Sequence, residues 1–110
     1  MKRIFTLVAV ASLAVQVQAN DGHQGPSYDC EKADGTVEEM ICQDAELSKL
    51  DLELTHLYVK ALKSTSGQAH KTLKAYQRGW IKGRNECWKA NDVRACVASE
   101  YKQRIKDLTP

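Results

Sequence analysis

The stretch DAELSKLDLELTHLYVKAL, running from Asp44 to Leu62, decides the fold class. Within it Leu47, Leu50, Leu54, Leu57, Tyr58, Ala61 and Leu62 recur at spacings of three and four, the period at which side chains share one face of an α-helix. Asp44 stands where a side-chain oxygen can cap the first free amides. Ser64-Thr65-Ser66-Gly67 then ends the pattern with residues that favour turns. This is an amphipathic helix of about four turns, and its apolar stripe needs partners.

The flanking sequence supplies them. Upstream, Thr36-Val37-Glu38-Glu39 has the form of a capping box, Thr36 accepting from the amide of Glu39 while Glu39 reaches back, and it opens a short helix through Met40, Ile41 and Cys42. Downstream, a third helix is predicted from about Gln68 to Trp88, with Leu73, Tyr76, Trp80 and Cys87 on one face. Gly79 and Gly83 weaken it by about 1 kcal/mol each relative to alanine. Spaced four apart, they either admit a close neighbour beside Trp80 or are tolerated weakness. Asn91 or Asp92 caps a last helix in which Val93, Val97, Tyr101, Ile105 and Leu108 repeat every three or four residues. No stretch alternates with period two, and the connections are short. The expected fold is all-α, a small antiparallel bundle of three long helices and a short N-terminal one.

The N-terminus sets the compartment. Met1-Lys2-Arg3 is cationic, Ile4 to Val15 is apolar, and Val17-Gln18-Ala19 offers small residues for cleavage, so residues 1–19 read as a secretory signal peptide. The apolar run is short for a spanning helix. Residues 20–27 read as a flexible leader and 28–110 as the helical domain. The 91 residues after cleavage form one domain, of a size at which covalent staples help. Cys30, Cys42, Cys87 and Cys96 are expected to be disulfide-bonded in an oxidising space, periplasmic or extracellular. Cys87 ends one helix and Cys96 lies about a turn into the next; Cys30 precedes the helix that carries Cys42. Pairing Cys30 with Cys42 and Cys87 with Cys96 is favoured over the two crossed pairings, which sequence alone leaves open. A ten-residue loop closed this way contributes about 2.7 kcal/mol in the chain-entropy model. Cys30 follows Ser27-Tyr28-Asp29, so no lipobox precedes it and no membrane anchor is expected after cleavage.

The 16 Lys and Arg exceed the 14 Asp and Glu only through Lys2 and Arg3 of the signal. A neutral mature chain predicts no nucleic-acid partner. Charge is nevertheless polarised, with ten acids and two bases in residues 20–53 against four acids and twelve bases in 54–110. Either the two segments lie together and neutralise one another, or an acidic face meets a cationic partner.

Three charged residues interrupt the apolar faces. Asp51 sits between Leu50 and Leu54, Arg84 four residues past Trp80, and Arg104 three past Tyr101. A carboxylate there needs a partner and a guanidinium can answer it with two hydrogen bonds, so Asp51 is expected to pair with Arg84 or Arg104 across helices. The same Arg, Trp and Tyr residues also have the composition of an interaction hot spot.

No catalytic motif is present: no His-Glu-x-x-His, no Gly-x-Ser-x-Gly, no phosphate loop. His23, His56 and His70 are scattered, and the cysteine spacings lack the close pairs of zinc sites. Glu46, Asp51 and Glu53 point in different directions around a helix. The residues therefore point to a protein with no enzymatic activity, no cofactor and no metal.

Ser27 to Ala33, Val37-Glu38 with Ile41-Cys42 and Leu47, Leu50-Asp51 with Leu54 and Tyr58, the run from Gln77 to Arg84 with Cys87, and Cys96 with Tyr101, Arg104, Ile105 and Leu108 together resemble the LprI-type domain. The resemblance covers nearly all of residues 28–108. That family comprises small secreted bacterial helical domains and takes its name from a mycobacterial lipoprotein described as a lysozyme inhibitor. The resemblance thus implies a periplasmic lysozyme inhibitor. The partner-binding candidates are Glu38 and Glu39, which could steer a basic enzyme, and Lys89 or the Ser64-Thr65-Ser66 turn, which could fill its cleft. The competing reading is a binding module for another envelope target, such as an immunity protein or a structural partner.

Overall fold

The computed structural model describes residues 24–110. The signal peptide expected at 1–19, the first residues of the leader and His23 lie outside the described residues. Four α-helices follow one another: α1 (Thr36–Gln43), α2 (Ala45–Lys63), α3 (Gly67–Asn85) and α4 (Val93–Leu108). Single 3-10 turns occupy Cys30–Lys32 and Glu86–Lys89. Among the described residues there is no strand, and the disulfides join Cys30 to Cys42 and Cys87 to Cys96. The fold is the all-α bundle that the periodicity predicts.

Two helix starts follow directly from sequence chemistry. The carboxylate of Asp44 accepts from the Leu47 amide at 3.0 Å, and that of Asp92 from the Ala95 amide at 2.9 Å. The start of α1 differs from the predicted capping box. Gly35 is the capping residue, at a φ of 98° that favours glycine, and Thr36 is already helical with no capping hydrogen bond before it. Glu38, not Glu39, reaches back, its Oε1 accepting from the Asp34 amide at 2.8 Å. The third helix also ends sooner than predicted, at Asn85. Cys87 is tied to Cys96 of α4, and the chain tightens into the 3-10 turn to reach it.

The core comes from α1, α2, α4 and Cys87: Val37, Ile41, Leu47, Leu54, Val97, Ala98 and Tyr101 are buried around it. Ser48 joins α2 to α1 by donating to the Ile41 carbonyl at 2.6 Å, fully buried. α2 packs chiefly against α4. The residues that α3 buries are Gln77 and Arg84, both polar, while Trp80 packs on the core from a half-buried position. Tyr76, expected on the apolar face, is 59% exposed. Gly79 and Gly83 face open space, so no close helix neighbour requires them. No helix among the described residues is long and apolar enough to cross a membrane.

Candidate functional site

Two charged side chains meet inside the bundle. Asp51 of α2 and Arg84 of α3 are each 4% exposed, with Arg84 Nη1 3.9 Å from Asp51 Oδ1. The hydroxyl of Tyr101 bridges them, donating to Asp51 Oδ1 at 2.7 Å and accepting from Arg84 Nη1 at 2.9 Å. Ser27 completes the carboxylate, its amide and its hydroxyl both donating to Oδ2, at 2.7 and 2.6 Å. Arg84 spends Nε and Nη2 on Asn85 Oδ1 and lies 5.6 Å from the Trp80 ring centroid. Trp80 in turn meets Tyr101 edge to face at 5.1 Å and donates Nε1 to the Glu100 carbonyl at 3.2 Å.

Arg104 does not join this group. Its Nε donates to Gln77 Oε1 at 2.9 Å and its guanidinium lies 4.6 Å from the Tyr76 ring centroid. The mediating roles of Tyr101 and Ser27 were missed from sequence. Tyr101 falls on the apolar face of its helix, and nothing in its spacing marks the hydroxyl as a bridge; Ser27 lies in a stretch read as leader. Burial drives the phenol pKa values of both Tyr101 and Tyr28 up, Tyr28 to about 12. The Tyr28 hydroxyl donates to the Glu38 carbonyl at 2.8 Å.

A cleft of about 420 Å³ opens over this group, lined by Tyr28, Lys32, Glu38, Thr55 and Trp80 among others. Its charged floor is satisfied from within. Asp51 has both oxygens occupied by Ser27 and Tyr101, so the carboxylate is arranged to join the entering chain, α2, α3 and α4 rather than to act as a base. Among the described residues no three metal-ligating side chains come together.

The polarised charge meets on the surface. Arg94 Nε donates to Asp44 Oδ2 at 2.6 Å, and its Nη2 to Asp44 Oδ1 at 3.2 Å and Glu46 Oε1 at 2.6 Å, linking the first turns of α4 and α2. Those hydrogen bonds hold both carboxyls below their ordinary range.

The structure does not gather the partner-binding candidates into one surface. Glu38 is half-buried and engaged at the start of α1; Glu39 is exposed beside Thr36 and Arg94. Ser64, Thr65 and Ser66 form the α2–α3 turn, where the hydroxyls of Ser64 and Thr65 bend back onto the Ala61 carbonyl at 3.1 and 3.0 Å. That turn lies a helix length, about 28 Å at 1.5 Å per residue, from the start of α2. Lys89 is exposed on the 3-10 corner, paired with Glu86 and 5.6 Å from the ring centroid of Trp88. Trp88, predicted to lie in the last turn of the third helix, is 56% exposed there. The neighbouring Cys87 is 3% exposed and disulfide-bonded, so the corner holds an outward aromatic on a fixed base.

Comparison with known proteins gives a consistent family result. Residues 29–108 match the sequence profile of the family described as Lysozyme inhibitor LprI. The chain is similar to Lipoprotein LprI of Mycobacterium bovis, at 31% identity over 107 residues that cover 96% of this chain and 53% of the relative. Lipoprotein LprI of Mycobacterium tuberculosis matches with the same figures. The chain thus spans about half the length of these curated relatives. No solved structure matches it.

Proposed function

We infer the function from one premise: the chain belongs to the LprI family. On that premise we propose that it is a secreted periplasmic binding protein that inhibits lysozyme by occupying the enzyme, with no chemistry of its own. The observation that carries the proposal is the Trp88-Lys89 corner. Lysozyme works through two carboxylates in a cleft. A cation beside an exposed indole has the charge and the apolar surface to enter such a cleft, and large aromatics supply much of the energy of protein interfaces. Anchoring by Cys87–Cys96 lowers the entropy lost on docking. Lys89 exchanges its exposed Glu86 partner for the enzyme's carboxylates.

The acidic first half supports the same reading. Exposed Glu39 and its acidic neighbours draw in a basic enzyme and raise the association rate more than they tighten the complex. Secretion rests on the signal sequence, and all four cysteines are paired, which leaves none of them a thiol for acylation. The test is to titrate the folded domain into lysozyme digesting cell walls. The proposal expects turnover to fall with inhibitor concentration and the inhibition to weaken with salt. Unchanged turnover would leave a binding module for another envelope target.

A further inference from the structure

Arg104, on α4, presents a problem that the inhibitor reading does not touch. The residue is 4% exposed, and its Nη2 is buried with no hydrogen-bond partner. Nε is used on Gln77 and the Tyr76 ring lies over the guanidinium, while Asp107, one turn on, is held by Gln103 Nε2 at 3.1 Å. An aromatic face compensates a desolvated cation only in part. A charge-assisted hydrogen bond donated to an anion would satisfy the buried Nη2 far better.

The surroundings indicate what kind of anion. Arg104 and Tyr76 border a groove of about 470 Å³ that also takes in Ala61, Ala69, Thr72 and Leu73, between α3 and the end of α2. Apart from the guanidinium this surface is mostly apolar, and its size falls within the roughly 300–1,000 Å³ of small-molecule sites. Tyr76 is 59% exposed, so its ring can turn off the cation without disturbing the core. A bilayer surface cannot reach a side chain as buried as Arg104, whereas a single carboxylate can.

We propose that this groove binds a monocarboxylate with an aliphatic chain, of the fatty-acid class. The carboxylate takes the free Nη2 donor of Arg104 once Tyr76 swings aside, and the chain lies along Ala61, Ala69 and Leu73. The groove lies by the α2–α3 turn, away from the Trp88 corner, so occupancy leaves lysozyme inhibition unchanged.

Calorimetry and amide chemical-shift mapping on the folded domain test this, with decanoate compared against decanol and decyltrimethylammonium below their micelle concentrations. Decanoate is expected to bind one to one, at least tenfold more tightly than either control, and to shift the amides of Ala69 and Leu73. Ala69→Trp, which fills the groove and leaves Arg104 in place, should weaken decanoate at least tenfold. Arg104→Gln should reduce decanoate to the level of decanol; if that variant does not fold, the head-group comparison on the native chain decides. Equal binding of all three head groups, undiminished binding by Ala69→Trp, or no binding at all overturns the proposal.

Discussion

The hydroxyl of Tyr101, on α4, stands 2.7 Å from Asp51 Oδ1, between the buried carboxylate of α2 and the buried Arg84 guanidinium of α3. Removing the hydroxyl leaves that carboxylate oxygen and Arg84 Nη1 facing each other across 3.9 Å. Tyr101→Phe should therefore lower stability by about 1–3 kcal/mol in urea unfolding. Arg84→Met should lower it more, by about 3–5 kcal/mol, because it strands a buried carboxylate. Equal, negligible effects would mean that the bridge is geometric only.

The two tryptophans should separate cleanly. Trp80 packs on Tyr101 and the core, so Trp80→Ala should lower stability by about 3 kcal/mol. Trp88→Ala removes an exposed ring and should stay within about 0.5 kcal/mol of the native chain. Thermal melts of the two variants check this, and an inverted order would reverse the roles assigned to them.

How much of this was legible in the sequence differs by helix. The leucines of α2 announced both the helix and its buried face, since apolar side chains at three and four residue spacing have one physical explanation. α3 is legible only in part: Gln77 lies inside although a hydrophobicity pattern assigns an amide to solvent, because Arg104 of α4 donates to it. Asp51 and Arg84 were legible as a pair by the cost of burying charge, but their phenolic mediator was not. Trp88 was not legible at all, because the local tightening that turns it outward is imposed by the Cys87–Cys96 bond.

Alkaline pH should destabilise the domain through two phenols, the buried one of Tyr101 and the half-buried one of Tyr28. Folded Tyr28 ionises near 12, above the ordinary value of 10, and Tyr101 higher still. Because both folded values are raised, their contribution is fully present below pH 10 and is lost as pH rises through the folded values. Denaturant midpoints measured from pH 8 upward should fall beyond about pH 10. Tyr28→Phe should flatten that fall; an identical decline in the variant would locate the pH dependence elsewhere.

Charge reversal at the start of α1 should split into two effects. Glu38→Lys removes the acceptor for the Asp34 amide and should cost about 1 kcal/mol of stability. Glu39→Lys touches no such bond and should instead slow association with lysozyme, by less as salt approaches about 0.15 M and the Debye length shortens to about 8 Å. Association and dissociation rates over a salt series check this; a change confined to dissociation would count against steering.

The central claim is that a folded LprI-family domain blocks lysozyme with its disulfide-pinned corner. The most direct measurement is lysozyme turnover of cell walls at rising concentrations of native domain and of Trp88→Ala, with melting of both recorded alongside. The account predicts concentration-dependent inhibition by the native domain and inhibition at least tenfold weaker, about 1.4 kcal/mol, in the equally stable variant. Full turnover in the presence of well-folded native domain, across several lysozyme classes, would contradict it.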